Sequence, residues 1–160
     1  MIVVADSGPL HYLILLELAD LLRRLYGEVV VPEAVARELA VALAPRPVRD
    51  WMSRPPDWLR VVPVERARVE EITDELDPGE RAAIALAAAM RADLLLIDEA
   101  GGRAEAKRRN LRVTGTLGVL RAAAELGVVN VPDVIARLKA TSFYTDDALL
   151  KSTFGRWLDS

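Results

Sequence analysis

The sequence predicts an α/β fold, a three-layer α/β/α sandwich around five short parallel strands. Three observations carry that expectation. Short apolar runs alternate with longer segments of helical spacing. No hairpin signal joins any two of the runs, so successive strands need crossover helices, as in a parallel sheet covered on both faces. Two of the runs, residues 2–5 and 93–97, then stop abruptly at a carboxylate, Asp6 and Asp98. A strand that feeds a helix leaves such an acid at its carboxyl end, the edge where open α/β sheets bind ligands.

Taken in order, Ile2-Val3-Val4-Ala5 is a buried strand, and Ser7, Gly8 and Pro9 open a helix with Pro9 as its first helical residue. Residues 9–17 are strongly apolar, and Leu18, Leu21, Leu22 and Leu25 mark a second helix ended by Gly27. Residues 28–31 form the second strand, and Pro32 starts a helix with Glu33 in its first turn. That helix turns Ala34, Val35 and Leu39 to the core, with Glu38 beside them. Pro45, Pro47, Pro55 and Pro56 predict a loop with one helical turn at 48–52. Residues 59–64 read as a strand that Pro63 places at a sheet edge. A polar helix over 65–73 and a long alanine-rich helix from Asp77-Pro78-Gly79-Glu80 to Arg91 follow. After the strand ending at Asp98 come a helix over 99–109, a short strand at 111–113 and closing helices over 116–126, 132–139 and 145–158. No repeat or linker divides the chain, so 1–160 reads as a single domain with a helical extension from about residue 130.

Composition narrows the function. The chain is 160 residues long, 52% hydrophobic and 28% charged, which is globular rather than disordered. Without cysteine there is no disulfide, thiolate metal site or cysteine nucleophile. No apolar run approaches the roughly 18 residues of a membrane span and no secretory pattern opens the chain, so a cytoplasmic protein without a membrane partner is expected. The net charge of −3 means that any nucleic-acid contact must come from a local basic patch or from metal ions. Aromatics make up only 5%, which argues against a module that holds single strands mainly by stacking.

Four acids stand out by location: Asp6, Glu38, Glu80 and Asp98. Mg²⁺ and Mn²⁺ take oxygen ligands, commonly carboxylates plus water and substrate phosphate. Two such ions about 4 Å apart can activate water and steady both oxygens of an in-line phosphodiester displacement. Each acid also has an ordinary role open to it. Asp6 and Asp98 suit the caps of the helices that follow them, Glu80 completes a capping box with Asp77, and Glu38 suits a helix surface. The pair at two strand ends favours the metal reading, because a buried charge is costly without a partner and neither motif contains a base.

The ordered set of motifs resembles the PIN-domain superfamily of metal-dependent nucleases, which includes the VapC-type toxins, and most closely a PIN-like branch common in bacteria and archaea. The matching pieces are Val4-Ala5-Asp6-Ser7-Gly8-Pro9-Leu10, Val31-Pro32 with Val35 and Glu38-Leu39, and Leu76-Asp77-Pro78-Gly79-Glu80 with Ala83-Ile84-Ala85-Leu86-Ala87. Leu94-Leu95-Leu96-Ile97-Asp98-Glu99 and Val113-Thr114-Gly115-Thr116-Leu117-Gly118-Val119-Leu120 complete it. The resemblance implies strand order 3-2-1-4-5, a metal-binding catalytic quartet of Asp6, Glu38, Glu80 and Asp98, and a substrate-orienting hydroxyl at Ser7. It implies a Mg²⁺- or Mn²⁺-dependent endoribonuclease acting on RNA, with an antitoxin protein as partner if the chain is the toxin of a toxin–antitoxin system. The chain departs from the family pattern in carrying Glu80 where toxins have Asp, and in lacking a threonine two before Asp98. Glu99 adds a further candidate ligand.

The rival class is a PIN-like binding or scaffold protein with a degenerate site. A phosphatase with Asp6 as nucleophile is weaker, because Gly8 stands where its second Asp is needed, and a receiver-like phosphoacceptor lacks its acidic pair. Arg103 and Lys107, within a basic group that includes Arg108, Arg109 and Arg112, are candidates for orienting substrate phosphate, against the alternative of a solvated helix face. Arg46, Arg49, Arg54 and Arg60 form a second basic group that equally suits a partner surface. His11, the lone histidine, reads as a packed residue, and Trp51 and Trp58 as packing or interface residues. The last helix carries Leu150, Phe154 and Trp157 in one stripe, with Trp58 as a further aromatic partner. Such a stripe either packs on the chain itself or forms a homodimer or antitoxin interface.

Overall fold

The computed structural model describes residues 1–41 and 43–158; residues 42, 159 and 160, within the single-domain span expected from sequence, lie outside the described residues. The first half of the chain is β1 (Val3–Ala5), α1 (Ser7–Leu15), α2 (Asp20–Tyr26), β2 (Val29–Pro32), α3 (Glu33–Ala40), α4 (Arg46–Ser53), β3 (Leu59–Val62) and α5 (Arg66–Glu70). The second half is α6 (Pro78–Met90), β4 (Leu94–Leu96), α7 (Ala100–Arg108), β5 (Val113–Thr114), α8 (Thr116–Glu125), α9 (Val131–Lys139) and α10 (Asp147–Leu158). The strands form one all-parallel sheet in the order β3-β2-β1-β4-β5, flanked by helices. The expected α/β fold and strand order are both present.

The sheet core is aliphatic and dry. Val3, Val4 and Ala5 are fully buried on the central strand, as are Val29, Val31, Leu95 and Leu96 on its neighbours. Strands buried on both faces read as unbroken apolar runs, which is why β1, β2 and β4 were legible. Helix α6 packs on β1, β2 and β4 through Ala83, Ile84 and Ala87, all fully buried. Its alanines lose almost no side-chain entropy on burial. β3 pairs only with β2 and is an edge strand, as Pro63 suggested.

Several element bounds differ from expectation: β3 stops at Val62 rather than 64, α5 spans only Arg66–Glu70 of the expected 65–73, and Pro32 closes β2. Asp6 is the N-cap of α1 and Ser7 its first helical residue, so Pro9 sits third, where an absent N–H still costs no intrahelical bond. The proline-rich region holds a regular helix, α4, because Pro47 falls in its first turn and Val48 and Met52 bury one face. β5 lies at Val113–Thr114, later than 111–113, since it pairs Leu95 with Val113 and Leu96 with Thr114. Ile2 falls outside β1 and is partly exposed.

Helix α10 packs on α8 and α9, with Leu150 and Phe154 buried within the chain itself. The Trp58 ring packs beside that of Trp51, their centroids 5.8 Å apart. No helix among the described residues is long and apolar enough to cross a membrane.

Candidate functional site

Register brings the two strand-end acids together. Ala5 pairs with Leu96, and the Asp6 backbone N–H donates to the Leu96 carbonyl at 2.8 Å. Asp6 and Asp98 therefore leave neighbouring parallel strands at the point where the chain's crossovers diverge, toward β2 on one side and β5 on the other. Asp6 is 3% exposed and Glu80, from the first turn of α6, is 7% exposed. Asp6 is the N-cap of α1 by its backbone, but its side chain makes no capping hydrogen bond into the helix's first turn. Its Oδ1 and the Oε2 of Glu80 are buried acceptors without a hydrogen-bond partner.

Asp98 is held by a different helix from the one that follows it. Thr116, at the start of α8, donates its backbone N–H to Oδ1 at 2.7 Å and its hydroxyl to Oδ2 at 2.8 Å. The chain lacks a threonine two before this acid, and Thr116 supplies a hydroxyl to it from across the sheet edge. Arg103 donates to the Ile97 carbonyl at 3.0 Å and its charge favours ionised Asp98. Arg103 thus braces the strand end beneath the cluster, while Lys107, a turn further along α7, is exposed. Arg108 and Arg109 are tied to Glu105, the latter at 3.0 Å. The basic group is largely committed within the protein.

Glycines make room for the carboxylates. A Cβ on Gly79 would collide with the Glu38 carboxylate, and one on Gly102 would lie 2.6 Å from Glu80 Oε2. A Cβ on Gly115 would lie 2.5 Å from Asp98 Oδ1. Asp77 also belongs to the cluster, which the sequence reading did not foresee beyond its N-cap role. It does cap α6, accepting the Glu80 backbone N–H at 2.8 Å, and its charge acts on Asp6, Glu38 and Glu80 together. The available signal was the Asp-Pro-Gly-Glu run itself, which places a second acid one helical turn before Glu80.

The electrostatic outcome is uniform. Burial pushes the Asp6 carboxyl up to about 7, and neighbouring Asp77, Glu38 and Asp98 add to the shift against donation from the Ser7 backbone. Burial pushes Glu80 up to about 8, reinforced by Asp77. Burial also raises Glu38, opposed by donation from the Ser7 hydroxyl and the Gly79 backbone. Asp98 is raised by burial despite Thr116 and Arg103. Glu99 is exposed at the cleft mouth and adds repulsion to Glu80 and Asp98. Crowding of buried carboxylates with unpartnered oxygens disfavours their ionised forms and favours any compensating positive charge.

The DUF3368 family, described as a PIN domain, matches residues 2–157. The chain is a PIN domain. The match spans nearly its whole length, α9 and α10 included. No curated protein matches the chain. The PIN superfamily is in general one of nucleases, which suits an acid cluster at the switch point of the sheet. Asp6, Glu38, Glu80 and Asp98 converge at this PIN domain's sheet edge with Ser7 beside them. His11 is half-buried on the wall of the adjoining cleft rather than packed in the core.

Proposed function

We propose that this PIN domain is a Mg²⁺- or Mn²⁺-dependent endoribonuclease that hydrolyses phosphodiester bonds, and that it acts as the toxin of a toxin–antitoxin pair. The observation that carries the metal site is the pair of buried, unpartnered acceptors, Asp6 Oδ1 and Glu80 Oε2, beside Glu38 and Asp98, with the carboxyls of these four acids raised. The donor set is all oxygen, which suits a hard divalent cation. Asp6, Glu38, Glu80 and Asp98 would hold it, with Glu99 available at the mouth. When bound, such a cation supplies the positive charge that activates water and stabilises the phosphoryl transition state.

The chain's own residues do the positioning. Thr116 fixes Asp98 through both of its oxygens, and Arg103 fixes the strand end below it. The Ser7 hydroxyl and Gly79 backbone steady Glu38. Glu80, its carboxyl pushed up to about 8 by burial, holds a proton at neutral pH that it would release on binding a cation.

One observation favours the scaffold alternative: among the described residues, no three acids or other donors are grouped closely enough to form a metal shell. Mg²⁺ usually keeps several waters and needs only one or two carboxylates, so the nuclease reading accommodates this. The test is cleavage of a broad pool of single-stranded RNA with Mn²⁺. Cleavage that chelator or Asp6→Asn abolishes supports the reading; intact metal binding without cleavage of any RNA or DNA supports a scaffold.

A further inference from the structure

An open cleft of about 430 Å³ lies beside the acid cluster. That volume lies within the range of small-ligand sites. Its lining includes Ser7, Glu38 and Glu99, shared with the acid site. The rest of the lining has a different chemistry, with His11 and Tyr12 from α1, Leu39 and Val41 at the end of α3, and Pro45 before α4. No lysine or arginine is among the described residues lining it.

The ring wall is braced. His11 stands one helical turn after Ser7, on the same face of α1. Its ring meets Tyr12 edge-on at 4.7 Å, and Tyr12 meets Phe143 edge-on at 5.0 Å. The Tyr12 hydroxyl and the Ser142 hydroxyl lie 3.1 Å apart. The segment between α9 and α10 therefore holds the wall in place from far along the chain.

A lining without lysine or arginine among the described residues, and with Glu38 and Glu99 in it, repels phosphate. It suits an uncharged ring with a π-face and hydrogen-bonding edges, because stacking tolerates any base while an imidazole and hydroxyls can pair with the edge. We propose that this part of the cleft is a nucleobase subsite next to the scissile phosphate, with His11 and Tyr12 as its positioning and specificity residues. The assignment rests on the nuclease reading above for what occupies the acid site.

His11 is the sole histidine, so its imidazole gives one unambiguous set of NMR signals. The full-length, metal-free protein is titrated at fixed pH with each of the four ribonucleosides, and separately with ribose and inorganic phosphate. The expected result is a saturable movement of the His11 signals with at least one nucleoside and none with ribose or phosphate. His11→Ala should then weaken binding of the matching nucleoside monophosphate, in the presence of Mn²⁺, by about tenfold while Mn²⁺ affinity is unchanged. Unmoved His11 signals with every nucleoside overturn the subsite, and undiminished nucleotide binding by His11→Ala overturns it as well. Nucleoside-induced movement in a protein that fails to bind Mn²⁺ overturns the nuclease reading and leaves the base site standing.

Discussion

The Asp77 carboxylate accepts the backbone N–H of Glu80 at 2.8 Å while its charge raises the side chain of the same residue. One acid therefore both starts α6 and adds to the proton affinity that burial gives Asp6, Glu38 and Glu80. The two roles are separable, since Asn caps a helix about as well as Asp but carries no charge. Asp77→Asn is expected to keep the fold, raise metal-free thermal stability at pH 8, and weaken Mn²⁺ binding by calorimetry. A large loss of stability would assign Asp77 to structure alone.

The raised carboxyls make stability depend on pH. Asp6 and Glu80 move from ordinary values of 3.8 and 4.5 up to about 7 and about 8 in the folded state. The folded protein then binds more protons than the unfolded chain between about pH 4 and about pH 8, so stability falls as pH rises through that window. Metal-free melting temperatures should decline across it, and Asp6→Asn or Glu80→Gln should flatten the decline. Mn²⁺ at pH 8 should restore the lost stability, because it binds only the folded site. A metal-free profile flat in pH would contradict the buried cluster.

Thr116 is fully buried and gives Asp98 both a backbone and a hydroxyl bond. Thr116→Val keeps the shape and the backbone bond but leaves Asp98 Oδ2 without its hydroxyl donor. The expected cost is about 1–3 kcal/mol in urea unfolding. RNA cleavage should fall with it, because Asp98 loses its fixed orientation.

Gly79→Ala places a methyl group where the Glu38 carboxylate lies. Glu38 is a long, half-buried side chain that can swing away, and alanine favours the helix by about 1 kcal/mol over glycine. Stability should be preserved or slightly raised while Mn²⁺ affinity drops. Unchanged affinity would remove Glu38 from the site.

Phe154 is 1% exposed beneath α10. Phe154→Ala should cost about 3–5 kcal/mol in global unfolding if α10 completes the chain's own core. A melt like that of the wild type would instead make α10 a separately fraying helix, whose outer face is then free for a partner chain.

Local chemistry made the elements legible. Unbroken aliphatic runs marked β1, β2 and β4, Gly27 ended α2 at φ 79°, and Asp77 capped α6, because each signal acts within a few residues of itself. The four acids were legible for the same reason, each ending a strand or lying on a patterned helix. What the chain alone left open were relations between distant residues. Thr116 reaches Asp98, Gly79 yields to Glu38, Gly102 to Glu80, and Phe143 braces Tyr12. The burial of Leu150 and Phe154 belongs with these, since such a stripe reads alike whether it packs on its own chain or on another. Only the packed structure, with α8 and α9 already in place, covers those side chains, because burial depends on which surfaces meet rather than on the pattern along one helix.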